Sequence, residues 1–320
     1  MTLDHSSDGI YERFPLTIGS VEQWICIAGK KRHAPLLLLL HGGPGAAQMG
    51  YIRHFQQALE NHFIVVNWDQ RGAGRSYHKH LSASDLTAHQ LIEDTIELTC
   101  YLKERFKQER IYLLGHSWGG LLGMATIARA PQLYHHYFSV SQVLNINEAE
   151  RQSYEQLLRL ANERQDAVGA QALHSIGPPP WSKARHVRTY NKYINAYDAR
   201  EHHGHLGWSI FWRALRSKEY RLRDWISLWK GYTFSMKALA DDLAHFHVHD
   251  VTSVQTPVTF MFGTYDLVVP SPPVYAFYEQ LQAPDKEWIW FKQSAHSLPL
   301  EEPQKLAGVV YAAHQRRSVL

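Results

Sequence analysis

The chain has 320 residues, of which 45% are hydrophobic and 20% are charged, a composition typical of a globular protein with a sizeable core. Its formal net charge is only +3 and it contains no long run of Lys and Arg, which argues against nucleic acid as a partner. The longest apolar run, residues 34–40, is far too short to cross a bilayer, which argues against a membrane protein.

Two further features concern the cellular compartment. The N-terminus is polar and lacks the basic region and apolar run of a secretory signal. The two cysteines are Cys26 and Cys100, and we expect both to be buried thiols, because disulfide-rich scaffolds are small and secreted. These features predict a cytoplasmic protein.

The first half of the chain alternates between apolar strands and helices. The predicted elements, in chain order, are an antiparallel hairpin over residues 14–28, strands at 36–40 and 63–68, a helix at 84–106, a strand at 111–114, a helix at 121–130 and a strand at 137–140. Strands that are apolar throughout and separated by helices indicate a mostly parallel sheet covered on both faces.

This pattern is interrupted between residues 147 and 249, where the chain is helical in character, rich in aromatic and basic residues, and without an apolar strand. Apolar strands return at residues 258–262 and 287–291, and a final helix begins near Pro303. We therefore predict an α/β core made of residues 1–146 and 250–320, interrupted by a helical cap of residues 147–249.

The strongest chemical signal is the motif G-x-S-x-G at residues 115–119. A strand precedes this motif and a helix follows it, as a nucleophile elbow requires. The sharp turn holds the hydroxyl of Ser117 at a helix N-terminus, where the helix dipole favours a developing negative charge. We predict that Ser117 is the nucleophile of a serine hydrolase.

A glycine-rich loop, His41-Gly42-Gly43-Pro44-Gly45, directly follows the strand at residues 36–40. Acyl transfer passes through an oxyanion that needs two aimed donors, and backbone N–H groups freed by glycines can provide them. We assign one donor to the N–H of Trp118 and the other to Gly43 or Gly42. The alternative is that the loop is a plain turn.

A serine nucleophile needs a base, and the base needs an acid that orients it. In this arrangement the chain order is Ser, acid, His. Asp266 and His296 each follow a predicted strand and so lie at the same sheet edge as Ser117. Asp285 is the rival acid, but it precedes its strand and lies at the opposite edge.

Three other features have competing interpretations. Arg71 and Arg75 in the segment 69–76 could bind a substrate anion, but we prefer a structural loop whose Asp and Arg satisfy backbone groups. The histidines 245, 247 and 249 could bind a metal, although no supporting ligands lie nearby. Cap aromatics such as Trp208 and Trp212 could line a substrate pocket or form the core of the cap.

Together these motifs resemble the proline iminopeptidase family of serine peptidases within the α/β-hydrolase superfamily. The motifs that carry the resemblance are 41–45, Asp69-Gln70-Arg71-Gly72 with Gly74 and Ser76, 115–120, 263–266 and 295–296. The resemblance implies an α/β-hydrolase fold with a helical cap after the sixth strand. It also implies Ser117 as nucleophile, Asp266 as acid, His296 as base and the N–H groups of Gly43 and Trp118 as oxyanion donors, with no metal or organic cofactor.

The expected function is hydrolysis of a small peptide, amide or ester through an acyl-enzyme, in the manner of a proline iminopeptidase-like aminopeptidase. The alternatives are an esterase or amidase, an acyltransferase of a small-molecule pathway, and a non-catalytic binding protein. Family aminopeptidases capture the free amino end of the peptide with cap carboxylates. The cap carboxylates considered for that role are Glu148, Asp198, Glu201, Glu219 and Asp224, and none lies in a recognisable motif. The oligomeric state is left open.

Overall fold

A computed structural model describes residues 8–181, 183–197, 200–202, 210, 212, 216–221 and 224–318. Within this part of the chain, eight strands form one sheet in the order β1-β2-β4-β3-β5-β6-β7-β8. The strands are β1 (Ile10–Ile18), β2 (Val21–Gly29), β3 (Leu36–Leu40), β4 (Ile64–Asp69), β5 (Ile111–His116), β6 (Tyr134–Val140), β7 (Val258–Gly263) and β8 (Lys286–Phe291). β2 pairs antiparallel with β1 and with β4, and the remaining pairs are parallel.

Helices cover both faces of this sheet. They are α1 (Met49–Ile52), α2 (Gln57–Glu60), α3 (Ala88–Phe106), α4 (Trp118–Arg129), α5 (Ile146–Glu163), α6 (Ala167–Ile176), α7 (Ala184–Ala196), α8 (Asp224–Ala238), α9 (Ala240–His245), α10 (Ser271–Gln280), α11 (Leu298–Glu301) and α12 (Pro303–Ser318). Leu36 and Leu38 of β3 pack with α3 and α4, whereas Leu37 packs on the opposite face with α2 and α12. Alternate residues of a strand point to opposite faces, so a strand buried on both sides must be apolar throughout.

The predicted mostly parallel sheet covered by helices is confirmed, and several boundaries are extended. β1 begins at Ile10 rather than near residue 14, β6 begins at Tyr134, and α4 begins at Trp118, directly after Ser117. The expectation that both cysteines are buried is wrong for Cys100, whose side chain is exposed on α3, whereas Cys26 is buried on β2.

The helices α5 to α9 lie between β6 and β7, and we call this region (residues 147–249) the cap. The cap has an apolar cluster of its own, which includes Tyr154, Leu157, Tyr190 and Tyr193. Part of its aromatic content therefore forms an internal core. The domain boundaries at residues 146/147 and 249/250 stay a prediction. None of the described helices is long and apolar enough to span a membrane.

Candidate active site

The turn between β5 and α4 holds Ser117 in a strained conformation. Its φ of 57° and ψ of −117° lie outside the regions that non-glycine residues favour, and its N–H donates to the carbonyl of Val140 at 2.9 Å. A Cβ on Gly115 would lie 2.1 Å from the Gly119 carbonyl oxygen, and one on Gly119 would lie 2.1 Å from the Leu40 oxygen. Both glycines are therefore required for the close approach that places Ser117 at the N-terminus of α4.

The predicted acid and base lie together. Asp266 and His296 follow β7 and β8, and Asp266 Oδ2 lies 2.9 Å from His296 Nδ1. The other carboxylate oxygen of Asp266 accepts hydrogen bonds from the N–H groups of Val268 and Val269, at 3.0 and 2.9 Å. Because the carboxylate can only accept, Nδ1 carries the proton, which leaves Nε2 of His296 free to act as a base. Both side chains are buried.

The base lies beside the nucleophile turn. The ring of His296 is 5.0 Å from the ring of His116, the residue before Ser117. His116 Nε2 donates to the backbone carbonyl of His296 at 2.9 Å. Within the described residues, no hydrogen bond joins Ser117 Oγ to His296, and such a bond often tightens only when substrate is bound.

The glycine-rich loop after β3 lies against the nucleophile. A Cβ on Gly42 would come within 3.3 Å of Ser117 Cβ. Gly43 has a φ of +118°, and a Cβ there would lie 2.6 Å from the nitrogen of Ala46. The N–H of Gly43 has no acceptor among the described residues. The N–H of Trp118, the first residue of α4, has no intrahelical partner. Both N–H groups are thus available as donors.

Two residues that sequence reasoning did not select hold this loop in place. His41 donates from Nδ1 to the carbonyl of Gly42 at 2.8 Å and accepts at Nε2 from the N–H of Gln70 at 3.2 Å. Burial lowers the pKa of His41 to about 4, so the ring stays neutral and keeps this pair of roles. The Gln70 side chain donates to the carbonyl of His41 at 3.0 Å and accepts from Trp118 Nε1 at 3.3 Å. Gln70 therefore ties the two donor segments together.

The structural interpretation of Arg71 is confirmed. Its guanidinium forms a bidentate pair with buried Asp94 at 2.7 and 2.8 Å, and it also donates to the carbonyl oxygens of Ile18 and Gly19. This buried guanidinium therefore holds Asp94 and two backbone carbonyl groups, as the structural interpretation predicts.

Arg75 is also used by the fold. Its guanidinium lies 3.3 Å from the ring centroid of Trp24 and donates to the carbonyl of Glu219 at 3.2 Å. Its backbone N–H donates to the buried carboxylate of Asp69 at 2.9 Å. The preference for a structural loop at residues 69–76 is therefore confirmed for both arginines.

The three neighbouring histidines of the cap have separate contacts. His245 bonds to the carbonyl of Asp241, His249 pairs with Glu148 at 2.8 Å, and His247 lies 3.8 Å from Asp250. In the part of the chain that is described, no group of three or more His, Cys, Asp or Glu side chains is arranged to hold a metal.

Trp208 and Trp212 are the two cap tryptophans that were predicted to line a substrate pocket or to form the core of the cap. Trp208 lies outside the described residues. Trp212 exposes 53% of its surface. Their assignment to substrate binding stays a prediction.

The candidate cap carboxylates are mostly engaged elsewhere. Glu148 pairs with His249 at the surface. Glu219 accepts from Tyr11 at 3.0 Å, and Asp224 accepts from the N–H of Arg221 at 2.7 Å. Asp198 lies outside the described residues. Burial raises the pKa of the Glu301 carboxyl, and the Glu201 carboxylate adds to that rise.

Glu150, which sequence reasoning did not consider, is a cap carboxylate with no such engagement. It lies on α5, is partly buried, and forms no hydrogen bond or ion pair with any described residue. Burial raises the pKa of its carboxyl. Burial also raises the pKa of Tyr190, and the carboxylates of Glu150 and Asp266 add to that rise. The carboxylates of Glu150 and Asp266 therefore both contribute to the raised pKa of Tyr190.

Known proteins resemble this chain in sequence and in structure. A family model for the alpha/beta hydrolase fold matches residues 35–303. The chain is 36% identical over 297 residues to "Probable aminopeptidase YbaC" of Bacillus subtilis, which covers 92% of this chain and 93% of that protein. It is 25% identical over 292 residues to a proline iminopeptidase of Clostridium botulinum, covering 89% and 90%.

A solved structure extends this similarity to the whole fold. The chain superposes on the proline iminopeptidase-related protein of Thermus thermophilus with a TM-score of 0.67 and 19% identity, covering 95% of this chain and 97% of that one. At this identity the similarity concerns the fold.

Proposed function

The chain belongs to the α/β-hydrolase fold family, and from this premise we propose that it is a serine hydrolase with the catalytic triad Ser117, His296 and Asp266. The observation that carries the proposal is the acid–base pair at 2.9 Å beside a strained nucleophile turn. Each member of the triad follows a different strand, which is how this fold assembles its site.

The geometry supports a two-step reaction. Ser117 Oγ attacks the substrate carbonyl carbon while His296 Nε2 takes the hydroxyl proton, and Asp266 holds the resulting imidazolium. The N–H groups of Gly43 and Trp118 would receive the oxyanion. When the C–N or C–O bond breaks, His296 returns the proton to the leaving group. A water molecule, deprotonated by His296, then attacks the acyl-enzyme, and Ser117 recovers its proton.

We further propose that the substrate is a small peptide with a free amino end, as the names of the similar aminopeptidases suggest. Glu150 supports this proposal. A partly buried carboxylate without a partner is unfavourable, and a substrate ammonium group would neutralise it. The carboxylates of Glu150 and Asp266 both add to the rise in the pKa of Tyr190 that burial causes, which supports a position of Glu150 on the triad side of the cap.

We also propose that the protein is cytoplasmic and that residues 147–249 form a cap on the α/β core. The two thiols do not pair with each other, as expected for a protein of the reducing cytoplasm. The cap of residues 147–249 would cover the triad and contribute the substrate-binding groups.

A matched pair of substrates tests the proposal. Proline 4-nitroanilide with a free amino group and its N-acetyl derivative would be compared, with Ser117→Ala as the control. Cleavage of the free amine alone supports an aminopeptidase. Cleavage of both, or of the acetylated compound alone, contradicts the amino-end requirement but keeps the hydrolase. Activity that persists in Ser117→Ala contradicts the triad itself.

A further inference from the structure

We propose that Glu301 is a positioning residue that joins the cap to the catalytic base, an inference that rests on the assignment of His296 as that base. One carboxylate oxygen of Glu301 accepts a hydrogen bond from the backbone N–H of His202, in the cap, at 2.6 Å. The other accepts from the backbone N–H of Ala295, the residue before His296, at 2.9 Å. The side chain of Glu301, on α11, therefore links the cap segment 200–202 to residues 292–297, the loop that carries His296, which we call the catalytic loop.

A second bond joins the same two segments. The N–H of Ser297, the residue after His296, donates to the carbonyl of Arg200 at 2.9 Å. His296 is thus flanked on both sides by backbone groups that are linked, directly or through Glu301, to residues 200–202.

The same cap segment also contacts the loop of the catalytic acid. The ring of His202 stacks on Tyr265 with a centroid distance of 3.5 Å and an interplanar angle of 5°. Tyr265 immediately precedes Asp266, and its N–H donates to the carbonyl of Ser294 at 3.1 Å. A displacement of residues 200–202 would therefore be transmitted to both halves of the acid–base pair.

The core holds the catalytic loop independently of the cap. His116 donates to the carbonyl of His296, and Glu302 accepts from the N–H of Gln293 at 3.1 Å and from Ser294 Oγ at 2.6 Å. Glu301 and Glu302 are adjacent in the chain, but of the two only Glu301 has a recorded bond to the cap among the described residues. This pair offers a matched control.

A charged carboxylate is the side chain that suits position 301. It can accept from two N–H donors at once, whereas a glutamine would turn its own NH2 group toward one of them. Burial raises the pKa of Glu301 to about 7, with contributions from the Glu201 and Asp266 carboxylates, and the two backbone bonds oppose this rise. These two bonds favour the charged form of the Glu301 carboxyl.

The test compares Glu301→Gln with Glu302→Gln in the full chain, by steady-state kinetics and by hydrogen–deuterium exchange at single amides. For Glu301→Gln we expect kcat to fall about ten- to a hundred-fold, since small misplacements of a catalytic group have effects of that size. We expect KM to change by less than about two-fold, because the carboxylate acts on the base rather than on bound substrate.

The exchange data provide a readout that loss of activity alone does not. In Glu301→Gln the side-chain oxygen can still accept from one of the two amides, so at least one of His202 and Ala295 should exchange about ten-fold faster. In Glu302→Gln, the amide of Gln293 should exchange faster while that of His202 keeps its wild-type rate. Wild-type exchange at both His202 and Ala295 in Glu301→Gln, or an equal increase at these amides in Glu301→Gln and Glu302→Gln, would overturn the proposal.

A second pair of variants applies if Glu301→Gln fails to fold. His202→Pro and His202→Ala both remove the ring from Tyr265, but only proline removes the N–H that Glu301 accepts. A lower kcat in His202→Pro than in His202→Ala supports the bridge, and equal values overturn it. If Ser117→Ala remains active, the assigned triad is wrong; if it is inactive while Glu301→Gln retains wild-type kcat and exchange, only the bridge is wrong.

Discussion

The core and the cap differ in how their important contacts are spread along the chain. In the core, each chemical group follows a strand within a short motif, so its position is fixed by local sequence and by the shared edge of the sheet. The contacts that attach the cap to the core join residues far apart in the chain, such as Tyr220 with Asp69 and Glu219 with Tyr11. Local sequence therefore sets the position of each candidate catalytic residue, whereas the attachment of the cap depends on partners that are distant in the chain.

Two of the attachments between the cap and the core lie at different distances along the chain from the candidate site. Tyr220 donates to the buried carboxylate of Asp69, and Glu219 accepts from the half-buried Tyr11 and forms an ion pair with Arg53. Residues 200–202 instead contact the loops of the acid and the base. We expect the contacts of residues 219 and 220 to stabilise the fold, and those of residues 200–202 to affect the reaction.

The largest effect is expected for Ser117, the proposed nucleophile. Ser117→Ala should lower kcat by at least about ten-thousand-fold, because no other group supplies the attacking oxygen. The smaller alanine fits the same strained turn, so the melting temperature should stay close to that of the wild type. Hydrolysis assays and thermal unfolding measure both quantities, and an active variant would show that another residue is the nucleophile.

The next effect concerns Asp266, the proposed catalytic acid. Asp266→Asn should lower kcat by about ten-thousand-fold, because the amide NH2 would face His296 Nδ1 and select the wrong tautomer. Its remaining carbonyl can still accept from the N–H groups of Val268 and Val269, so the loop should persist. Asp285→Asn, at the opposite sheet edge, is the control and should retain wild-type kcat.

Sequence reasoning succeeded in the core for a physical reason. The apolar strands, the glycine turn at residues 115–119 and the family resemblance all depend on local patterns, and the α/β-hydrolase fold and the similarity to proline iminopeptidases are confirmed. The roles of Gln70 and Glu301 were not predicted, because each depends on partners that only the folded chain brings near. Glu150 was not predicted because its lack of a hydrogen-bond or ion-pair partner among the described residues is visible only in the folded chain.

A smaller effect is expected in the cap, where Glu150→Gln tests substrate recognition. Removing the negative charge should raise KM for the free-amine anilide by about ten- to a hundred-fold, the value of one charge-assisted contact. KM for an acetylated or ester substrate should not change. Glu148→Gln, on the same helix but at the surface, should leave both values at the wild-type level. Equal increases for all substrates would mean that Glu150 supports the fold rather than binding an amine.

The smallest effect is expected on the free energy of unfolding, through the buried hydrogen bond between Tyr220 of the cap and Asp69 of the core. The hydroxyl of Tyr220 donates to both carboxylate oxygens of Asp69, at 2.9 and 2.8 Å. Burial raises the pKa of Asp69 to about 7, and the bond from Tyr220 opposes that rise because it favours the charged form. Since the folded state holds this proton more tightly than the unfolded state, Asp69 stabilises the fold at low pH and loses that contribution as pH rises through about 7.

Tyr220→Phe should therefore destabilise the protein by an amount that depends on pH. Near pH 5 Asp69 is protonated, and the loss should be about 1 kcal/mol, that of a neutral hydrogen bond. Near pH 8 the buried carboxylate is charged and loses its donor, and the loss should approach about 3 kcal/mol. Denaturant unfolding at both pH values measures the difference, with Tyr275→Phe at an exposed position as the control. A loss that is equal at the two pH values would show that Tyr220 anchors the cap by packing its ring on Gly50 rather than by its bond to Asp69.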